Sequence, residues 1–151
     1  MSIHLSRNFL RSVGSIFLFA TLAFGNSHHR MNGVWQLTPT RSEFNGEPAI
    51  QTGTVTINDR QGNIFVQRNF DFDSANHSTD TSFTTDSRHN ATIKEPGFKS
   101  KAKWDGHVLT VTTTRNGEIT TERYSLRDDG FMTLQLDRPG HQPETLFFQR
   151  Q

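Results

Sequence analysis

The chain has 151 residues, with 16 basic and 15 acidic side chains, and it contains no cysteine. Residues 1–25 carry two arginines and no acid, so the remainder holds 14 basic and 15 acidic residues and has a net charge of −1. A domain without a basic excess is a poor binder of nucleic-acid backbones, so we expect no nucleic-acid partner. The lack of cysteine excludes a disulfide scaffold, a thiolate metal site and a cysteine nucleophile.

The first 25 residues have the three parts of a secretory signal peptide. Arg7 and Arg11 supply the positive region, an apolar run follows, and Ala23-Phe24-Gly25 places small residues at the spacing that a signal peptidase reads. The apolar run is shorter than the ~20 residues of a membrane-spanning helix, although a retained membrane anchor is the alternative. We therefore expect a signal peptide over 1–25, a mature domain over 26–151, and a secreted or periplasmic location.

Cleavage after Gly25 would create a mature terminus that begins Asn26-Ser27-His28. A free amine, two backbone amides and the His28 imidazole would form a square-planar set of nitrogens, which suits Cu(II) or Ni(II). The alternative is a disordered polar terminus. Apart from this conditional metal site at His28, we expect no cofactor.

The mature chain shows the periodicity of strands. No window places apolar residues at three- and four-residue spacing over three turns, so no longer helix is expected, and 39–44 is either irregular or a single helical turn. Short alternating runs rich in Thr, Val and Phe are separated instead by Gly, Asn and Asp. Those runs cover 34–37, 52–59, 64–72, 79–85, 90–94, 99–104, 108–114, 118–126, 132–136 and 145–150.

Short turns join most of these runs, and Asp105-Gly106 and Asn116-Gly117 are strong hairpin signals. Successive strands joined by short turns form a meander, and closing the meander removes its two unpaired edges. We therefore predict an all-β fold, an antiparallel up-and-down meander closed into a barrel of about eight to ten strands. An outer-membrane barrel is the rival fold, but neither face of 108–114 is continuously apolar.

Gly33-Val34-Trp35 resembles the G-x-W signature of lipocalins, in which the Trp closes the barrel bottom beneath an Arg from the last strand. Arg150 is the matching candidate here. Longer stretches resemble small secreted bacterial lipocalin-like proteins that have no assigned activity. These stretches are Trp35-x-Leu37, Ser42-x-Phe44, Lys101-x-Lys103-Trp104-Asp105-Gly106, Thr120-Thr121-Glu122-Arg123-Tyr124-Ser125-Leu126 and Asp129-Gly130. The resemblance implies a lipocalin-like barrel, although the chain lacks the disulfide and the longer mouth loops of true lipocalins.

Two charged residues share the phase of apolar neighbours. Arg68 alternates with Val66 and Phe70, and Glu122 alternates with Tyr124. In regular strands both side chains would point inward, where each buried charge needs a partner. Arg68 and Glu122 are candidate partners for each other. The functional interpretation is a ligand-binding interior with Arg68 and Glu122 as polar anchors and Tyr124 and Trp104 as walls. The alternatives are a bulge that exposes the charges, a purely structural pair, and aromatic residues that only fill the core.

Lys99, Lys101 and Lys103 form a positive face on one strand. This face is either a contact for an anionic membrane surface or a solvated edge that discourages strand pairing between molecules. The sequence has no nucleophile elbow, phosphate-cradling loop or metalloprotease motif, so we expect no enzymatic activity.

Together these patterns predict a secreted, non-catalytic barrel that binds a small, partly apolar ligand in its interior. The alternative is an interaction or structural module of the cell envelope, with a filled core and an external binding surface.

Overall fold

The computed structural model describes residues 25–60, 63–72, 78–86 and 98–151; for 25–27, 78–86 and 98 it describes the backbone alone. The predicted signal peptide lies outside these residues except for Gly25, and so does the predicted strand at 90–94. No helix in the described ranges is long and apolar enough to cross a membrane.

Nine strands lie within the described residues, and most agree with the predicted runs to within two residues at either end. A 3₁₀ turn at Pro39–Arg41 occupies the segment expected to contain a helical turn. The strands are β1 (Gly33–Leu37), β2 (Ile50–Arg60), β3 (Asn63–Phe72), β4 (Ser78–Asp86), β5 (Phe98–Asp105), β6 (Val108–Arg115), β7 (Glu118–Leu126), β8 (Met132–Asp137) and β9 (Glu144–Arg150).

The strands form one antiparallel sheet in the order β4-β3-β2-β1-β9-β8-β7-β6-β5. The last strand pairs with the first, with Trp35 opposite Arg150, and this pairing curls the meander. The two edge strands, β4 and β5, approach each other to within 8 Å between Cα atoms, without forming a ladder in the described ranges. The prediction of an up-and-down, lipocalin-like barrel is confirmed, and its closure is nearly complete.

Local chemistry explains several of the turns. Asn116 and Gly117 both have positive φ, +53° and +88°, as a two-residue type I′ hairpin requires. Gly106 also has positive φ, +59°, in the β5–β6 turn.

One prediction about secondary structure is wrong. A short helix, α1 (Gly25–Met31), precedes β1, where the sequence indicated no helix. Seven residues are too few to show amphipathic periodicity over three turns. Met31, at the end of α1, is almost fully buried, so contact with the barrel supports the helix where the sequence pattern could not reveal it.

Side chains alternate between the barrel interior and solvent along each strand. Large side chains fill the interior near α1, and those that are fully buried include Trp35, Ile57, Leu109, Met132 and Phe148. One half of the barrel, the half next to α1, is therefore filled by packed side chains.

Candidate functional site

One end of the barrel is closed by Trp35 and Arg150, as the lipocalin resemblance implies. The Arg150 guanidinium lies 4.7 Å from the centre of the Trp35 ring, and the Trp35 indole N–H donates to the Met31 carbonyl at 2.8 Å. Arg150 also donates to the carbonyls of Arg30 and Asn32, at the end of and just beyond α1. A Cβ on Gly33 would lie 2.9 Å from the Arg150 guanidinium, so a glycine here lets the arginine approach.

The His28 ring of α1 stacks on Trp104, with ring centres 3.9 Å apart and planes inclined by 7°. Its Nε2 atom lies 2.9 Å from the Gly106 carbonyl oxygen. The Trp104 indole N–H donates to the Asp59 carboxylate at 2.9 Å, and Asp59 is 8% exposed. Trp104 is therefore a wall of the closed end, held between α1 and β2.

The central polar group of the interior is an ion pair between Arg68 on β3 and Glu122 on β7. These strands lie on opposite sides of the barrel, so the pair spans its interior. The side chains of Arg68 and Glu122 are 13% and 3% exposed, and the fully buried Tyr124 hydroxyl donates to Glu122 at 3.1 Å. The structure thus brings together three of the four predicted ligand-binding residues.

Burial governs the ionisation of this cluster. Removal from water raises the pKa of the Tyr124 phenol above its ordinary value, and the nearby Arg68 charge acts in the opposite direction. Burial also lowers the pKa of the Arg68 guanidinium. Tyr124 therefore remains a neutral donor at physiological pH, and its hydroxyl satisfies one oxygen of Glu122.

Exposure of the inward-facing residues changes across this cluster. Tyr124 and its cross-strand partners Leu109 and Leu134 are fully buried. Beyond Glu122, away from α1, the exposure of the inward-facing positions is mixed. Ile50, Phe70 and Ser100 stay buried, while four others are partly exposed: Phe72, Thr113, Thr120 and Leu136. The ion pair marks the boundary between a packed half of the barrel and a more accessible half.

A second polar cluster, the mouth cluster, lies on the accessible side and consists of Glu47, Arg138, His141 and Glu144. Arg138 pairs with Glu144 and, at 3.5 Å, with Glu47, and His141 Nδ1 lies 2.8 Å from Glu47. Burial raises the pKa of Glu144, while Arg138 lowers it. The cluster joins the β8–β9 connection to the segment before β2.

Sequence analysis missed the mouth cluster and the role of Asp59. Asp59 continues the apolar phase of Val55 and Ile57, and Glu144 continues that of Leu146 and Phe148. A charged residue that extends an apolar phase was the signal used for Arg68 and Glu122, and it would have found these two carboxylates.

The predicted copper site at His28 remains a prediction, because it depends on cleavage after Gly25. No group of three or more metal-ligating side chains occurs in the described parts of the chain. In the structure His28 packs on Trp104, and its Nε2 atom lies 2.9 Å from the Gly106 carbonyl oxygen.

The three lysines of β5 point outward and are exposed, while Ser100 and Ala102 between them are buried. They do not form a flat edge: Lys99, Lys101 and Lys103 line a surface groove of 330 Å³. This groove lies outside the barrel, apart from the interior ion pair.

No sequence family matches the chain, and no curated protein matches it. Solved structures do match it. Wild-type fluorescent protein UnaG has a TM-score of 0.61 at 17% identity, covering 82% of this chain and 98% of its own. A Schistosoma mansoni fatty acid binding protein in complex with arachidonic acid has a TM-score of 0.60 at 14% identity, covering 83% of this chain and 98% of its own. Secretory abundant heat soluble protein 4 from Ramazzottius varieornatus has a TM-score of 0.56 at 15% identity, covering 81% of this chain and 95% of its own. At these identities the likeness shows the fold, a barrel like those of lipocalins and fatty acid binding proteins.

Proposed function

We propose that the protein is a secreted or periplasmic, non-catalytic barrel that binds a small, partly apolar ligand in the accessible half of its interior. The observation that carries the proposal is the Arg68–Glu122 pair, with Tyr124, at the boundary between the packed and accessible halves. The structures with a similar fold include a fatty acid binding protein in complex with arachidonic acid, and this supports a barrel that binds a small, partly apolar molecule.

The charge of the anchor indicates the chemistry of the ligand. Arg68 and Glu122 neutralise each other, and Tyr124 is held neutral by burial. A carboxylate entering this site would add an uncompensated buried charge, which is costly. An uncharged molecule with an apolar body and a hydroxyl or amide head would accept from Arg68 or donate to Glu122 without that cost.

The test compares two probes that differ only in their heads, dodecanol and dodecanoate, as competitors of the neutral dye Nile red bound to the protein. We expect dodecanol to displace the dye at a lower concentration than dodecanoate. Glu122→Gln removes the carboxylate that pairs with Arg68 and should reverse that order, whereas Glu118→Gln, at an exposed position on the same strand, should not.

A second candidate function is the envelope module with a filled core. It is favoured by the packed half of the barrel, where Trp35, Tyr124 and Phe148 occupy the interior with almost no exposure. Failure of Nile red to bind, together with native mass spectra free of a bound small molecule, would favour this candidate over the binding barrel. The denatured mass of the exported protein tests secretion and the cut after Gly25.

A further inference from the structure

The outer groove on β5 and β6 is built from the side chains of two paired strands. Lys99 lies opposite Thr114 and Lys101 lies opposite Thr112. Side chains at directly opposed positions are about 5 Å apart, and alternate residues on one strand are roughly 6.7 Å apart. The groove, 330 Å³ in volume, is lined by Lys99, Ser100, Lys101, Lys103, Thr112 and Thr114.

Among the described residues, those that line the groove carry hydrogen-bond donors, and none of them carries a carboxylate. Three ammonium groups and two outward threonine hydroxyls face it, whereas the Ser100 hydroxyl lies 3.5 Å from the inward Thr113 hydroxyl. The adjacent outward position on β7 is also basic: Arg123 lies opposite Thr110, which lies opposite Lys103. The acid that follows in the same phase of β5 is Asp105, beyond the last lysine.

We propose that this groove binds a soluble molecule bearing phosphate groups. Ammonium and hydroxyl donors, without competing acceptors from acids, match phosphate oxygens, which accept several charge-assisted hydrogen bonds at once. The lysines span about 13 Å along the strand, which accommodates two neighbouring phosphate groups better than one. The site is independent of the interior ligand, because Ser100 and Ala102 between the lysines face the opposite side of the sheet.

The shape of the surface favours a soluble phosphate ester over the headgroups of a membrane. The phosphates of a bilayer are held in one plane, whereas a soluble phosphate ester can place its phosphates along the floor of the groove. Membrane-surface proteins also insert apolar side chains, and Ile119 and Val34 are the large hydrophobic residues that stand exposed in the described ranges. Val34 lies on β1, away from the groove, and Ile119 lies opposite Thr114 at its border, so one exposed hydrophobic side chain in the described ranges adjoins the lysines.

The first test is calorimetric titration of the full mature protein with inorganic pyrophosphate, in a metal-free buffer of low ionic strength. Lys101→Gln should weaken binding about tenfold, the value of a charge-assisted hydrogen bond. Thr112→Val, which retains every charge, should weaken it severalfold. Arg123→Gln is the matched control, since it removes one positive charge from the same sheet face outside the groove, and should change the affinity less than about twofold.

Three results would overturn the proposal. One is an Arg123→Gln variant that loses as much affinity as Lys101→Gln, because binding would then follow net charge rather than the groove. Another is an unchanged affinity for Thr112→Val. The third is co-sedimentation of the protein with phosphatidylglycerol vesicles, but not with phosphatidylcholine vesicles, in the presence of excess pyrophosphate. That result would assign the lysines to a membrane surface. Circular dichroism of each variant, matching wild type, shows that the loss is not caused by unfolding.

Discussion

The ion pair across the barrel makes the sharpest prediction about stability. In Arg68→Met the Glu122 carboxylate keeps the Tyr124 hydroxyl but loses its counter-charge while only 3% exposed. In Glu122→Gln the Arg68 guanidinium is left 13% exposed without the carboxylate opposite. Breaking a buried pair by removing one partner costs about 3–5 kcal/mol, so we expect each single variant to lose that much free energy of unfolding.

The double variant, Arg68→Met with Glu122→Gln, should cost no more than either single one. It removes both charges of the pair, and the methionine fills part of the arginine volume. The coupling free energy between the two sites should therefore reach about 3 kcal/mol, near the upper end for interacting residues. A domain of this size has a total stability of about 6–15 kcal/mol, so the single variants remain folded enough to measure in most of that range.

Urea unfolding followed by tryptophan fluorescence measures all four proteins, because Trp35 and Trp104 both lie in the barrel. The matched controls are Arg123→Met and Glu118→Gln, both exposed on β7, and each should change the free energy of unfolding by less than about 0.5 kcal/mol. Single-variant losses below 0.5 kcal/mol that simply add in the double variant would refute the buried pair. They would mean that both side chains reach water, the alternative considered from the sequence.

Three further predictions follow from individual contacts. Tyr124 is the only tyrosine in the chain, so the absorbance at 295 nm should titrate well above pH 10 in the folded protein and near pH 10 in urea. The free energy of unfolding should fall as pH rises past 10, because the folded state keeps the phenol proton to a higher pH than the unfolded state does. A folded-state midpoint near 10 would contradict the burial of Tyr124. Gly53→Ala should lower the free energy of unfolding by about 1–3 kcal/mol, since its Cβ would lie 2.6 Å from Phe70 Cδ1; an unchanged urea midpoint would show that the ring moves aside without cost. Arg150→Met should lower stability by about 1–3 kcal/mol and shift the emission of Trp35, and a variant with wild-type emission and stability would mean that the arginine does not hold the closed end.

Much of the candidate site was predictable because strand alternation assigns each side chain to a face. Arg68 and Glu122 share the phase of buried neighbours, and that phase alone placed them inside. What alternation does not state is which strands face each other across the barrel. From the sequence, Glu122 was therefore one of several possible partners for Arg68. The order of the strands in the sheet places β3 across the barrel from β7, and this brings the two side chains together.

The mouth cluster shows a different limit. Glu47 and Glu144 are almost a hundred residues apart, and no local pattern relates them. His141 is an exposed residue of the β8–β9 connection, and its contact with Glu47, at 2.8 Å, appears only in the folded chain. Such contacts arise from loop closure at the barrel end, which depends on the length and tilt of strands that the sequence does not specify.

The sequence by itself determined the strands, the turns and the faces of the sheet, because residue period and turn chemistry are local properties of the chain. It also indicated Trp35 and Arg150 as the closed end, through a resemblance of only a few residues. The tertiary structure decided the pairing of β1 with β9, the helix α1 against Trp104, the ion pair through the interior and the groove between the lysines and threonines. Each of these depends on strands that meet only after the sheet has curled, since burial and charge pairing are set by distances across the barrel rather than along the chain.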